Sequence, residues 1–440
     1  MSDMSANEQE EGVMEASPQG GERTTKDLGI ARPLRLNSGL LLGNRLAKAA
    51  MTEGLADRRG WPGPRLERLY ERWARGGVGL VITGNAMVDG RYLERAGNVI
   101  IEDAGVHEAL SAWSAAARKG CAALVQLSHP GRQTNRFICG QPLAPSEGPP
   151  VKVMASFSRP RAMTPLEVEA TVERFVFAAD ACRRAGFDGV QIHAAHGYLL
   201  AQFLSPLTNR RADVWGGSLE NRARLLLEIV RAVRARTGAG FTLAVKINSA
   251  DFQKGGFSEE DSLEVVRWLD AEGIDLLEIS GGNYESPALL LGPGVRESTV
   301  AREAYFLEFA RRVRGVTRLP LMVTGGFRSA AAMEAALGED ALDLVGLARP
   351  LALDPDFPAR LLSGEVERSE VQPLRVKGKA LGMLAEASWF GDQMDRVADG
   401  LDPDPGISPY GSIARYLTWQ TARGLRHRAT YRPPQTVQRG

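Results

Sequence analysis

Short apolar runs alternate with amphipathic segments along most of this chain. From about Ala31 onward, each apolar run is followed by a stretch such as RLERLYERWARGG, whose apolar residues recur every three or four positions. The first pattern predicts buried strands and the second predicts surface helices. The predicted strands are Ala47–Met51, Val78–Thr83, Ala122–Leu127, Gly189–Ile192, Thr242–Ile247, Leu276–Ile279, Leu321–Val323 and Leu344–Gly346.

Eight strand–helix units in succession predict an α/β fold of the (β/α)8 TIM-barrel type. An open doubly wound sheet that binds a dinucleotide should carry GxGxxG after its first strand, whereas this chain has TEGLAD there. The stretch ARPLRLNSGLLLGNRLAKAAM precedes and enters the first strand. It predicts an N-terminal hairpin that closes the bottom of the barrel.

The alternation of predicted strands and helices, present in only one segment, divides the chain into three parts. Residues 1–30 are polar and acidic, which predicts a disordered N-terminal tail. Residues 31–362 form the predicted barrel. Residues 363–440 form a C-terminal extension with an acidic block followed by an arginine-rich block, and a lid, a subunit contact and a solvated tail are all compatible with it. The Pro/Gly-rich loop between Ser128 and Met163 is long enough to predict a functional or mobile segment.

Composition and charge exclude several kinds of partner and cofactor site. The net charge of +1 provides no field that would recruit nucleic acid or a membrane surface, so a small-molecule substrate is expected. No signal-peptide core and no bilayer-length apolar run occurs, which predicts a cytoplasmic protein. The three cysteines are too scattered for a disulfide framework or an iron–sulfur cluster. The sequence does not decide the oligomeric state, and it is compatible with a homo-oligomer.

The stretch IHAAHGYLLAQFLSP places two of the five histidines within one turn, at the end of a predicted strand. Positions three apart point to opposite faces of a strand but share one face of a helical turn. His193 and His196 can therefore act together, with Tyr198 beside them, only if the chain coils where the strand ends. A His-x-x-His pair also occurs in metal sites, but no third ligand stands at a diagnostic spacing, so no metal is predicted. Packing roles in the core are the remaining alternative.

The other predicted strand ends suggest a phosphorylated, planar cofactor. Glycines after strands seven and eight allow backbone N–H groups to approach a phosphate, and Arg349 can pair with it. Gln126 and Lys246 offer polar edges to a heteroaromatic ring, with the small residues Thr52 and Gly84 beside them. Flavin mononucleotide (FMN) fits that description.

The chain resembles the Old Yellow Enzyme family of FMN-dependent NAD(P)H oxidoreductases. The resemblance rests on LGNRLAKAAMTEG, LVQLSHPGRQT, GFDGVQIHAAHGYLLAQFLSPLTNRRADVWGGSLENR, LLEISGG, LMVTGG and DLVGLARPLALDPDFP, and it covers about residues 33 to 360. It implies a barrel that binds FMN non-covalently. The cofactor-binding residues it implies are Ala50, Met51, Thr52, Gly84, Gln126, Lys246, Ser280, Gly281, Gly325, Gly326, Ala348 and Arg349. Lys246 stands where the family more often has arginine, which would supply a planar fork.

The resemblance also implies a reaction. NAD(P)H would reduce FMN, which would then reduce the activated C=C bond of an unsaturated carbonyl compound. His193 and His196 would bind the carbonyl oxygen, and Tyr198 would donate a proton to the α-carbon. Two alternatives stay open: an FMN-dependent oxidative demethylase or dehydrogenase of the same barrel family, and a flavin-binding protein without efficient turnover.

Overall fold

The computed structural model describes residues 29–152, 156–281, 306–372 and 374–434. The strands, in chain order, are β1 (Leu34–Arg35), β2 (Leu41–Leu42), β3 (Leu46–Lys48), β4 (Leu80–Ile82), β5 (Ala86–Met87), β6 (Val99–Ile100), β7 (Ala122–Ser128), β8 (Leu143–Ala144), β9 (Arg161–Ala162), β10 (Gly189–Ala194), β11 (Thr242–Asn248), β12 (Leu276–Ser280), β13 (Leu321–Thr324) and β14 (Leu344–Leu347).

Eight parallel strands close into a barrel. The neighbours follow the order β3, β4, β7, β10, β11, β12, β13 and β14, and β14 pairs with β3. Closure is visible at β10, where Ile192 pairs with Leu127 of β7 on one side and with Val245 of β11 on the other. The (β/α)8 barrel predicted from the sequence is therefore confirmed.

Helices separate the barrel strands and cover the outside of the barrel. They are α1 (Pro64–Arg75), α2 (His107–Ala117), α3 (Pro165–Arg184), α4 (Leu199–Leu204), α5 (Leu219–Thr237), α6 (Glu259–Ala271), α7 (described over 306–314), α8 (Ala330–Gly338), α9 (Arg349–Leu353), α10 (Phe357–Leu362), α11 (Lys379–Ala398) and α12 (Pro409–Thr430). In the described ranges, none of the helices combines the length and apolar character that crossing a bilayer requires.

The start of α3 shows how local sequence fixes these elements. The hydroxyl of Thr164 accepts the backbone N–H of Glu167, and the Glu167 carboxylate accepts the N–H of Thr164, which completes a capping box. Pro165 occupies the first helical position, where a missing N–H is tolerated. The four residues Thr164-Pro165-Leu166-Glu167 thus fix where the helix begins.

The N-terminal hairpin closes the bottom of the barrel, as predicted. Strand β1 pairs antiparallel with β2, and Leu42 is fully buried against the first residues of barrel strands, including Leu80 and Leu344. The Ser38 hydroxyl lies 2.7 Å from the hydroxyl of Thr242, the first residue of β11. These contacts lie at the amino ends of the strands, opposite the end where barrels build active sites.

The boundaries of the first strand were predicted wrongly. The expected strand Ala47–Met51 is observed as Leu46–Lys48, so Ala50 and Met51 lie in the following loop. The alanines of LAKAAM carry no turn signal, and apolar character alone does not show where pairing ends. The remaining predicted strands agree with the observed ones to within two residues at either end. Residues 1–28 of the expected disordered tail lie outside the described residues.

The loop between Ser128 and Met163 contains ordered structure in its described part. Leu143 and Ala144 of β8 pair in parallel with Arg161 and Ala162 of β9. The imidazole Nδ1 of His129 accepts the N–H of Gly131 at 3.0 Å, so this histidine stabilises the start of the loop. Residues 153–155 of the loop lie outside the described residues.

The described part of the C-terminal extension contains α11 and α12, which pack on the barrel. Arg65 of α1 pairs with Asp399 at 2.7 Å, and Arg349 at the start of α9 pairs with Glu386 at 2.8 Å. His427 of α12 is half-buried, and its Nε2 lies 2.8 Å from the Gly90 carbonyl oxygen. This contact joins the extension to the loop after β5.

Candidate active site

His193, His196 and Tyr198 meet at the carboxyl end of β10. The rings of His193 and His196 lie 5.1 Å apart and nearly perpendicular, and the rings of His193 and Tyr198 lie 4.8 Å apart at 80°. The structure thus brings together the three residues singled out in the sequence. All three are at most partly exposed.

The coil that joins the histidines is a left-handed turn. His196 has φ 59° and Gly197 has φ 75°, so two successive residues leave the strand conformation. A histidine seldom adopts a positive φ, and here the side chain of Asn248 supports it by accepting the His196 N–H at 3.1 Å. The turn places His196 on the same side as His193.

Both imidazoles are neutral at physiological pH. Burial lowers the pKa of each ring well below its usual range, and the neighbouring Lys246 ammonium lowers both further. In His193, Nδ1 accepts the N–H of Ala195 at 3.2 Å, so the proton of the neutral ring lies on Nε2. The Nε2 atom of His196 lies 2.7 Å from the Ser280 hydroxyl oxygen. The pair can therefore offer N–H donors without carrying charge.

A carboxylate that the sequence analysis missed contacts Tyr198. The phenol donates to Oε2 of Glu94 at 2.9 Å, and the same oxygen accepts a bond from the Asn85 amide. The Thr52 hydroxyl also donates to it, at 3.4 Å. Glu94 thus connects Tyr198 with Thr52, which was predicted beside the cofactor.

A buried polar network crosses the upper barrel interior. The Gln126 amide donates to Gln191 at 2.6 Å, and Gln191 donates to Glu278 at 2.8 Å. The Lys246 ammonium lies 2.8 Å from the other carboxylate oxygen of Glu278, which also accepts the Thr324 hydroxyl at 2.6 Å. Gln126 and Lys246 were predicted, whereas Gln191 and Glu278 were missed. A charged residue in the middle of the buried strand LLEIS was the available signal, since such residues are buried only when paired.

The loop after β3 places the first predicted cofactor residues at the rim. Ala50 packs on the apolar interior of the barrel, as does Ala348 after β14. Met51 instead packs on the outer core between strands and helices. The Thr52 carbonyl accepts a bond from Arg95 at 2.9 Å.

Gly84 lies where two loops approach closely. A methyl group in place of its hydrogen would overlap the Met51 carbonyl oxygen and the Glu53 carboxylate. The Gly84 N–H lies 3.1 Å from Oε1 of Glu53, which itself lies 3.7 Å from the Lys48 ammonium. Burial lowers the pKa of Lys48 to about 8. Contacts within the protein thus account for a glycine at this position.

The ends of β13 and β14 form a separate cleft. It is lined by Gly325, Gly326, Arg328, Ala348 and Arg349, among others. Gly325 has φ 117° and Gly326 has φ 90°, and a methyl group added to Gly325 would meet no atom within 4 Å.

Ser280 and Gly281 do not line this cleft. Ser280 contacts His196, and Gly281 packs tightly against Ser249, whose hydroxyl would lie 2.9 Å from an added methyl group. Gly282, the next residue in the sequence, lies outside the described residues.

These features fit a phosphorylated, planar heteroaromatic cofactor. Two adjacent glycines open their backbone to the cleft, and two arginines beside them match a phosphate dianion. The Gln126 amide and the Lys246 ammonium match a ring edge with carbonyl and N–H groups. No group of three or more His, Cys, Asp or Glu side chains placed to bind a metal occurs among the residues that the structure describes.

A family model and individual relatives both identify this chain as similar to flavin oxidoreductases. A family model described as NADH:flavin oxidoreductase / NADH oxidase matches residues 30–367. The NADH-dependent flavin oxidoreductase iliE of Hypocrea jecorina (strain QM6a) is 36% identical in an alignment of 398 positions that covers 84% of this chain and 97% of the relative.

Solved structures agree in fold. An Old Yellow Enzyme homologue from Zymomonas mobilis superposes with a TM-score of 0.65 at 25% identity, over 78% of this chain and 95% of the other. Morphinone reductase in complex with tetrahydroNAD superposes with a TM-score of 0.65 at 27% identity, over 80% of this chain and 96% of the other.

Proposed function

Because the chain belongs to the NADH:flavin oxidoreductase / NADH oxidase family, which includes Old Yellow Enzyme, we propose that it reduces the activated C=C bond of enones and enals. It is an oxidoreductase that uses FMN as cofactor and NAD(P)H as reductant. The alkene substrate is the proposed part. The observation that supports it is the convergence of two neutral imidazoles and one phenol at the barrel mouth.

The chain's own residues would bind FMN at two places. Gly325, Gly326 and Arg349 would bind the phosphate, and Gln126 and Lys246 would bind the polar edge of the ring. When bound, FMN would supply hydride transfer from NAD(P)H to the substrate. Glu278 neutralises part of the Lys246 charge, so this lysine offers the ring less positive charge than an unpaired cation would.

The histidines would polarise the substrate carbonyl. Two neutral N–H donors can bind one carbonyl oxygen and stabilise negative charge that develops on it, without the desolvation cost of a buried cation. Asn248 and Ser280 position His196, and the Ala195 N–H sets the tautomer of His193. The Nε2–H of His193 is therefore set before the substrate binds, and the ring of His196 is held beside it.

Tyr198 would donate the proton that completes the reduction. A free phenol is protonated in neutral water, so this kind of side chain has a proton to give. In the structure its single proton is donated to Glu94. If the hydroxyl rotates towards the substrate, the Glu94 carboxylate keeps its hydrogen bonds from Asn85 and Thr52.

An anaerobic assay tests the proposal. The flavoprotein is reduced with NAD(P)H and mixed with cyclohexenone, and the reoxidation of FMN and the saturated product are measured. Reoxidation by oxygen alone, with no alkene product, would favour a flavin-binding protein without efficient turnover. Reduction of FMN by an amine or an alcohol in the absence of NAD(P)H would favour the dehydrogenase alternative.

A second measurement tests the histidines directly. Phenols mimic an enolate, so the absorbance change on titrating the oxidised protein with a phenol reports on the N–H donors. Changing both His193 and His196 to alanine should raise the phenol dissociation constant by at least about tenfold, since each bond to a charged ligand contributes about 1.5–3 kcal/mol. An unchanged dissociation constant would remove the histidines from the carbonyl site.

A further inference from the structure

A second cavity lies beside the barrel mouth, between α12 and the loops after β3 and β6. Its volume is about 580 Å³. Five arginines contribute to its lining: Arg58, Arg59, Arg423, Arg426 and Arg432. We call this cavity the arginine groove. It contains none of the residues that were assigned above to FMN or to the substrate.

Three carboxylates also line the groove, and their hydrogen bonds come from backbone N–H groups and a tyrosine, not from the arginine side chains. Asp57 accepts the backbone N–H groups of Arg59 and Trp61, at 2.7 and 2.8 Å. Asp103 accepts the N–H of Gly105 at 2.7 Å. Glu102 accepts the Gly90 N–H at 2.8 Å and the Tyr431 hydroxyl at 2.7 Å. These acids stabilise loops and the end of α12.

The arginine charges are left without ion-pair partners among the described residues. None of the five guanidinium groups lies within 4.0 Å of a described carboxylate oxygen; their observed partners are backbone carbonyls or aromatic rings. Arg423 donates to the carbonyls of Gly54 and Ala56, and burial lowers its pKa. Arg58 and Arg426 are exposed and can turn towards a ligand. Five cations gathered around one cavity match an anion with several phosphate oxygens.

The groove and the active site share the loop that carries Glu94. Ala96 and Gly97 line it and stand two and three residues after Glu94, the partner of Tyr198. The Gly97 carbonyl accepts the N–H of Ala56 at 3.0 Å, which ties the groove to the loop that begins at Thr52. Two residues span at most about 7 Å of chain, so the groove lies within a nucleotide's length of the barrel mouth.

We propose that the arginine groove binds the pyrophosphate of the reducing dinucleotide while its nicotinamide lies at the barrel mouth. This rests on the proposed function only in that NAD(P)H is the reductant, and it does not depend on the alkene substrate. Trp61 lies in the same groove, where Arg59 stacks on it with 5.0 Å between guanidinium carbon and ring centroid. The indole offers an aromatic surface near the phosphates.

The test compares ligands with and without phosphates. TetrahydroNAD carries the whole dinucleotide but cannot donate hydride, and its dissociation constant is measured by spectral titration of the FMN-loaded enzyme. The dihydronicotinamide 1-benzyl-1,4-dihydronicotinamide donates hydride but has no phosphate, and the rate at which it reduces FMN is measured by anaerobic stopped flow. The variant is the double change Arg58→Gln and Arg426→Gln. The control is Arg32→Gln with Arg35→Gln, which removes the same charge at the opposite end of the barrel.

The groove variant should bind tetrahydroNAD about tenfold or more weakly, because it lacks two cations that would bond to phosphate oxygens. Its reduction by the benzyl compound should stay within about twofold of the wild-type rate, and the control should match the wild type with both ligands. An unchanged dissociation constant overturns the proposal. An equal loss with the benzyl compound also overturns it, since the change would then act on the barrel mouth. Neither measurement uses an enone substrate. Failure of the groove proposal can therefore be distinguished from failure of the proposed alkene reduction.

Discussion

Replacing Tyr198 by phenylalanine isolates the proton that alkene reduction requires. Phenylalanine keeps the aromatic ring, so the perpendicular contact with His193 at 4.8 Å is preserved. The change removes the phenol's donation to Glu94, and that carboxylate retains bonds from Asn85 and Thr52. The variant should therefore fold and bind FMN normally.

The expected kinetic loss follows from the role assigned to the phenol. A positioned general acid contributes about 10²- to 10⁴-fold, which corresponds to about 3–5 kcal/mol of activation free energy. The reduction of FMN by NAD(P)H requires no proton from Tyr198, so its rate should stay within about twofold. Only the reaction of reduced enzyme with an enone should slow.

Anaerobic stopped flow measures the two half-reactions separately. A quinone serves as the control acceptor, because it takes hydride but needs no proton on carbon. Equal losses in both half-reactions, or equal losses with the enone and the quinone, would refute the assignment of Tyr198 as the proton donor.

Three further predictions concern other parts of the molecule. Burial lowers the pKa of His129 to about 4, so between pH 6.5 and 4 the unfolded chain binds a proton that the folded chain does not. Acidification over that window should cost about 3 kcal/mol of unfolding free energy, and His129→Asn should remove this part of the pH slope in urea denaturation. Thr164→Ala should lower the unfolding free energy by about 1 kcal/mol in the same assay, because it removes the capping box; no change would mean that the cap contributes nothing. Glu278→Gln should raise the midpoint potential of bound FMN by about 30 mV or more, since Lys246 would then stabilise the reduced ring without compensation; a lower potential in dye equilibration would contradict this.

Much of the fold could be predicted because it depends on patterns that are local in sequence. Each barrel strand is an apolar run, and a capping box such as that at Thr164 lies within four residues. The turn at His196 could also be expected, since two histidines three apart can cooperate only where the strand ends.

The missed site residues depend on contacts between distant segments. Glu94 contacts Tyr198 across 104 positions, and Gln191 contacts Glu278 across 87. Such pairs follow from strand order and register, which a single sequence does not display. The ion pair of Arg349 could not be predicted for the same reason. Its chemistry suggested a phosphate ligand, but its observed partner Glu386 lies in the C-terminal extension, which lacks the strand–helix periodicity of the barrel.

The hairpin at the amino ends of the strands has a kinetic consequence. With Leu42 filling that end, the electron donor and the acceptor are expected to share a single entrance and to visit it by turns. Double-reciprocal plots of initial velocity should then give parallel lines, and a large excess of either reactant should slow turnover by occupying the enzyme form that awaits the other.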